Sequence, residues 1–310
     1  MNTKRKAPKG ILGFPIAPFS ENNKLDEQKL AQNIQFLLDE GLEAIFVACA
    51  AGEYPSLSKE EYEAMVEVAV SVTAGKVPVY TGVGGNIQTS LELARISADK
   101  GAEGYLILPP YLVPGETAGQ AAYFKTIAES TDLNAIVYQR DNLSLSVATL
   151  EVLADVPQVV GVKDGLGNME LNTLLTQTFG DRFSWLNGMP LAEVTMPAYV
   201  PLGFESYSSA ISNYIPHISR KFYSAVLEGD QEVVHDIYKH VILPINNIRC
   251  QRKGYAVSLI KAGMEIMGMP VGQTVRLPIL PVEKGHYAEM EAILEKVLER
   301  FPKEKTIQSI

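Results

Sequence analysis

The chain has 310 residues, 46% hydrophobic and 20% charged, which is ordinary globular usage and enough to bury a sizeable core. A formal charge of −9 argues against a surface built to neutralise phosphates, so nucleic acid is not an expected partner. Two distant cysteines, Cys49 and Cys250, and no apolar run near the roughly 20 residues of a membrane span point to a soluble, reduced, cytoplasmic protein without a membrane partner.

The N-terminus carries Lys4, Arg5, Lys6 and Lys9, but Pro15 and Pro18 interrupt the apolar residues after them, so no secretory h-region forms. From there, short apolar runs alternate with longer amphipathic stretches, the pattern of crossover units on a parallel sheet. Eight runs read as strands: residues 10–18, 43–50, 77–84, 104–109, 134–140, 159–164, 183–188 and 204–209. Each is nearly continuous in apolar residues, as strands buried on both faces are. Between them, Ser58 with Glu61 and Thr89 with Glu92 have capping-box spacing, and Gly41, Gly75 and Gly101 follow helical stretches as stops. Eight βα units in roughly 200 residues suit an α/β fold closed as a (β/α)8 TIM barrel, although an open doubly wound sheet holds the same elements. Beyond residue 216 the strand signals end, and 220–243, 255–267 and 283–301 read as helices. The expected organisation is a barrel over 1–215 and a C-terminal helical extension over 216–310 packed on it.

In a barrel, the C-terminal ends of the strands and the loops after them face the active site. Those ends read Cys49-Ala50-Ala51-Gly52-Glu53, Tyr138-Gln139-Arg140-Asp141, Lys163-Asp164-Gly165 and Ser206-Tyr207-Ser208-Ser209. A lysine in a dry barrel has a depressed pKa, and its neutral amine attacks carbonyls; Lys163 fits that role, and equally fits a lysine paired with Asp164 or solvent. Tyr138 reads as a proton shuttle or as a core aromatic. Alternation puts Arg140 on the face of Tyr138, where its guanidinium requires an anion, either a substrate carboxylate or an acidic side chain such as Glu53. All four histidines, His217, His235, His240 and His286, fall in the C-terminal region, which weakens a zinc site or a histidine base. Gly82-Val83-Gly84-Gly85 lacks dinucleotide spacing and a Walker lysine, and reads as a tight turn.

With these residues placed, the chain resembles the family of dihydrodipicolinate synthase and N-acetylneuraminate lyase. The resemblance runs over nearly the whole length and rests on Pro15-Ile16-Ala17-Pro18-Phe19, Gly52-Glu53, Pro109-Pro110-Tyr111, Tyr138 and Lys163-Asp164-Gly165. It implies that Lys163 forms an imine, that Tyr138 relays protons, and that backbone amides around Ala50 and Ala51 hold the carboxylate beside the substrate ketone. Tyr111 matches a tyrosine that reaches into a neighbouring subunit's site, which implies a homo-oligomer, tetramer or dimer. Two departures redirect the chemistry. Cys49-Ala50-Ala51 replaces Gly-Thr-Thr and removes the hydroxyl that links two tyrosines; Tyr138-Gln139-Arg140-Asp141 replaces Tyr-Asn-x-Pro. The altered motifs look most like a branch that dehydrates and decarboxylates a keto sugar diacid, a small-molecule substrate whose chemistry needs no metal, thiamine or pyridoxal, so no cofactor is expected. Arg140, Ser208 and Ser209 are then candidates for its distal carboxylate; Arg140 alternatively contacts hydroxyls or supports Glu53. The rivals are a retro-aldol lyase on a 2-keto-3-deoxy sugar acid, which releases pyruvate, and a non-catalytic ligand sensor.

Overall fold

The eight apolar runs hydrogen-bond side by side into a closed parallel barrel, in a computed structural model that describes residues 5–110, 112–113, 115–269, 271 and 275–303. The first half comprises β1 (Gly10–Gly13), α1 (Glu27–Asp39), β2 (Ala44–Val47), α2 (Lys59–Thr73), β3 (Val79–Val83), α3 (Ile87–Asp99), β4 (Gly104–Ile107) and α4 (Thr117–Ala128). The second comprises β5 (Asn134–Gln139), α5 (Val147–Ala154), β6 (Val159–Asp164), α6 (Met169–Phe179), β7 (Ser184–Asn187), a short α7 (Met196–Tyr199) and β8 (Phe204–Ser209). Pairing of β8 with β1 closes the ring and excludes the open sheet.

Alternation sorts the strand residues into two apolar layers. Leu12, Phe46, Leu106, Ile136 and Leu186 fill the barrel, while Ile45, Val47, Val137 and Val162 face the helices. Inside, the rings of Phe14, Phe46 and Tyr80 stack with successive centroid separations of 4.7 and 4.9 Å, within the favoured range for offset aromatic pairs. One irregularity breaks the alternation. In the β5–β6 pair, Ala135 lies opposite Val159 but Ile136 lies opposite Gly161, so Val160 has no partner. Val160 faces inward and Val162 outward, and the slip returns the next residue, Lys163, to the interior opposite Tyr138.

Several local expectations shift. The strand expected over 10–18 ends at Gly13, because Pro15 and Pro18 have no N–H for a ladder and carry the chain over the barrel mouth. Ser58 and Glu61 form the expected capping box, which stabilises the start of α2 by about 1 kcal/mol. Asn86, not Thr89, caps α3, its side chain accepting from the Thr89 amide. The glycine stops after α1, α2 and α3 all take positive φ.

The helix expected over 220–243 is several pieces: α8 (Pro216–Glu228), α9 (Gln231–Ile237), a π-helical turn at Tyr238–Ile242, and α10 (Leu243–Cys250). Gly229 in the left-handed region ends α8, and Asp230 caps α9. α8 packs against β1, and Ser219 on it meets the Tyr207 hydroxyl of β8 at 2.7 Å. Then come α11 (Tyr255–Ile266) and α12 (Lys284–Arg300). Among the described residues, no helix is long and apolar enough to cross a membrane.

Candidate active site

A cavity opens at the C-terminal ends of the strands, and Lys163, Tyr138, Arg140, Ala50, Ala51, Ser208 and Ser209 all border it. Among the described residues, Lys163 and Arg140 are its charged side chains and no carboxylate lines it. A site of this charge favours an anionic ligand.

Lys163 extends from β6 into the apolar interior, 4% exposed. Its Nζ lies 4.0 Å from the Phe14 ring centroid and 4.8 Å from that of Tyr138. Burial lowers its pKa to about 7, and the charge of Arg140 acts in the same direction. The alternative of a Lys163–Asp164 pair is not what forms. Asp164 points outward, and its carboxylate accepts from Gln139 Nε2 and Asn172 Nδ2 at 2.8 Å each and from Tyr199 Oη at 2.5 Å. That network fixes the end of β6 from behind and leaves the amine to the cavity.

Tyr138, 2% exposed, donates its hydroxyl to Gly188 O at 2.8 Å and accepts from Arg140 Nη1 at 3.1 Å. Burial pushes its phenol up, while the Arg140 guanidinium pulls it down. Alternation along β5 had placed these two residues on one face, and they meet there. Arg140 also contacts Asp141 at 3.5 Å rather than Glu53. Glu53 is instead buried against Lys261 of α11 at 2.6 Å.

In the turn after β2, the amides of Glu53 and Tyr54 donate to Ala50 O and Cys49 O, so those of Ala50 and Ala51 stand outside these bonds at the cavity edge. Cys49 beside them is a neutral thiol, its pKa pushed up to about 12 by burial. Gly82 belongs to this arrangement through packing: a Cβ there would sit 2.3 Å from Ala48 O, so the absence of a side chain lets β3 approach the turn.

On β8, the Ser208 hydroxyl reaches Asn187 O at 3.4 Å and lines the cavity. Ser209 does not present its hydroxyl as a donor to a distal carboxylate. It faces the helices, donating to Glu193 Oε1 at 2.6 Å with Ser219 Oγ at 2.7 Å, since adjacent strand residues point to opposite faces. Tyr111 lies outside the described residues.

Further lining was not anticipated from the residues alone: Phe14 after β1, Leu106 on β4 and Leu108 after it, Gly188 after β7, Asn213 after β8, and Ala256, Val257 and Ile260 on α11. Gly188 carried a readable signal, a glycine at a strand's C-terminal end. A Cβ there would lie 2.5 Å from Lys163 Cε and 2.9 Å from Tyr138 Cε2. Gly188→Ala is therefore expected to displace the lysine and slow borohydride-trappable imine formation by about 10²-fold while the circular dichroism spectrum is retained. An unchanged trapping rate would show that the amine tolerates the shift.

A lysine on strand six, a tyrosine on strand five and an amide-bearing turn after strand two define a Schiff-base type of barrel enzyme, and the chain belongs to the dihydrodipicolinate synthetase family, whose model matches residues 7–297. Proteins described as probable 5-dehydro-4-deoxyglucarate dehydratase are 67% identical in Bacillus subtilis (strain 168), over 98% of each chain, and 60% identical in Oceanobacillus iheyensis, over 97% of this chain and 98% of that one. The crystal structure of dihydrodipicolinate synthase from Oceanobacillus iheyensis superposes with a TM-score of 0.87 at 28% identity, over 93% of this chain and 96% of that chain.

Proposed function

We propose that the chain is a decarboxylating dehydratase converting 5-dehydro-4-deoxy-D-glucarate to 2,5-dioxopentanoate, water and carbon dioxide through a Schiff base on Lys163. The observation that carries this reading is a buried amine without a carboxylate partner among the described residues, beside Tyr138, in a cavity whose charged groups are cations. The relatives' names give the substrate.

The amine of Lys163 adds to the C5 ketone and water leaves, giving an iminium. This acidifies the C4 methylene; loss of a C4 proton gives the enamine, which expels the C3 hydroxyl as water and forms a conjugated iminium. The C1 carboxylate is now vinylogous to that electron sink, so the C1–C2 bond breaks, carbon dioxide departs and the electron pair runs back to nitrogen. Protonation of the dienamine, ketonisation at C2 to the aldehyde and imine hydrolysis release the product and Lys163.

Tyr138 moves the protons. Burial keeps it a phenol at rest, so it acts first as an acid; Arg140, 3.1 Å from its oxygen, stabilises the phenolate that then takes the C4 proton. The Ala50 and Ala51 amides receive the carboxylate beside the ketone. Arg140 and Ser208 face the other end of the substrate. A firm arginine pair on the departing carboxylate would oppose its loss, so the guanidinium serves better at the phenol.

The test is mass spectrometry after incubation with substrate and borohydride, with assays for carbon dioxide and 2,5-dioxopentanoate. An adduct on Lys163 with carbon dioxide release supports the reading; pyruvate release would assign a retro-aldol lyase instead. A pH dependence arises in the free enzyme. Only the neutral amine attacks, so at low substrate the rate of imine trapping should rise with pH and reach half its plateau near the Lys163 pKa of about 7. A profile still rising past about pH 9 would mean an ordinary exposed lysine.

We also propose that the chain assembles as a homo-oligomer, tetramer or dimer. Leu112 and Val113, beside Tyr111, are 72% and 73% exposed and offer apolar surface for a second copy. Light scattering on the purified protein decides the number of subunits.

A further inference from the structure

The turn that carries Ala50 and Ala51 closes on Glu53, whose φ of 53° and ψ of 38° lie in the left-handed region. A residue with a Cβ stays there only when its surroundings hold it. Glu53 is held at both carboxylate oxygens: Oε1 accepts from Lys261 Nζ at 2.6 Å and Oε2 from the Arg276 amide at 2.8 Å. Neither side chain of the Glu53–Lys261 pair is exposed to solvent. A buried ion pair adds little net stability over apolar residues of the same volume, and its directional bonds fix geometry.

The Arg276 side chain extends the tie. Its guanidinium grips Glu61 of α2 through two bonds of 2.5 and 2.6 Å and donates to Ser56 O at 2.7 Å. It also donates to Asn23 O at 2.6 Å and lies 3.9 Å from the Phe19 ring centroid. Lys261 Nζ lies 4.7 Å from the same centroid. The loops after β1 and β2 are thereby fastened together by two cations from the C-terminal region, one on α11 and one between α11 and α12.

We propose that Lys261 and Arg276 are positioning residues that act through Glu53 to aim the Ala50 and Ala51 amides at the carboxylate beside the substrate's ketone. This rests on the reading that the turn seats that carboxylate and that Lys163 forms the imine. Neither cation lines the cavity. Their effect reaches the substrate through the backbone of residues 50–53, and it falls on carboxylate recognition rather than on amine reactivity.

The test compares borohydride trapping of two small ketones, pyruvate, which has the adjacent carboxylate, and hydroxyacetone, which lacks it. The Lys261→Met/Glu53→Gln double variant removes both charges together, so no lone charge is left buried. It is expected to need about 10- to 100-fold more pyruvate for half-maximal trapping, while its requirement for hydroxyacetone changes less than about 3-fold. Glu61→Gln is the milder companion: glutamine preserves the capping box at α2 but loses the charged grip of Arg276, and a shift of about 2- to 5-fold for pyruvate alone is expected. Equal shifts for both ketones, or none for pyruvate in either folded variant, overturn the proposal and leave the imine reading intact. Should the unaltered protein trap neither ketone, the imine reading falls and this proposal with it.

Discussion

Lys163→Ala is expected to lower turnover by about 10⁴-fold or more, a barrier increase of about 5.5 kcal/mol, and to abolish borohydride trapping. The size of the effect comes from the route. Without the iminium there is no sink for the C4 carbanion, none for the electrons released with carbon dioxide, and no other amine among the described residues of the cavity lining to replace it. Folding should survive, because the truncation removes a side chain packed on Phe14 and Tyr138 without leaving a charged partner behind. A folded variant that keeps more than about a hundredth of the activity would end the Schiff-base assignment.

Tyr138→Phe is expected to reduce turnover by about 10²- to 10⁴-fold, the usual worth of a placed proton-transfer group. The adduct on Lys163 should still be trapped, since the amine remains. This split between imine formation and later chemistry separates a proton carrier from a packing residue. The variant also strips Gly188 O of its donor and Arg140 Nη1 of its acceptor at 3.1 Å, so a modest fall in melting temperature is expected alongside. Near-normal turnover would make Tyr138 a wall of the cavity and nothing more.

Much of the barrel was legible because strands buried on both faces are written as apolar runs; β6 and β8 coincide with their runs, 159–164 and 204–209. The pairing of Tyr138 with Arg140 was legible too, since β5 alternates regularly through its end. Ser208 and Ser209 both border the cavity, and alternation turns only the Ser209 hydroxyl toward Glu193 and Ser219. The inward direction of Lys163 was not legible, as counting by twos from Val160 puts it outside. Nor were the contributions of α11 or the Glu53–Lys261 pair, which joins residues 208 positions apart by tertiary packing that no local pattern records. The strand ends pointed to Lys163 and Tyr138 only as one of two readings each; the resemblance to a known family chose between them.

The unpaired Val160 has a consequence for anyone who transplants or trims this strand. A regular ladder that paired Val160 with Ile136 would shift everything beyond it by one residue, exporting the amine to the helical shell and turning the Asp164 carboxylate inward, away from the donors that now hold it. An idealised barrel given the same lysine at the same count from the strand's start would inherit that inversion. The reactive group of this molecule is thus specified by a spacing fault as much as by the residue type at 163.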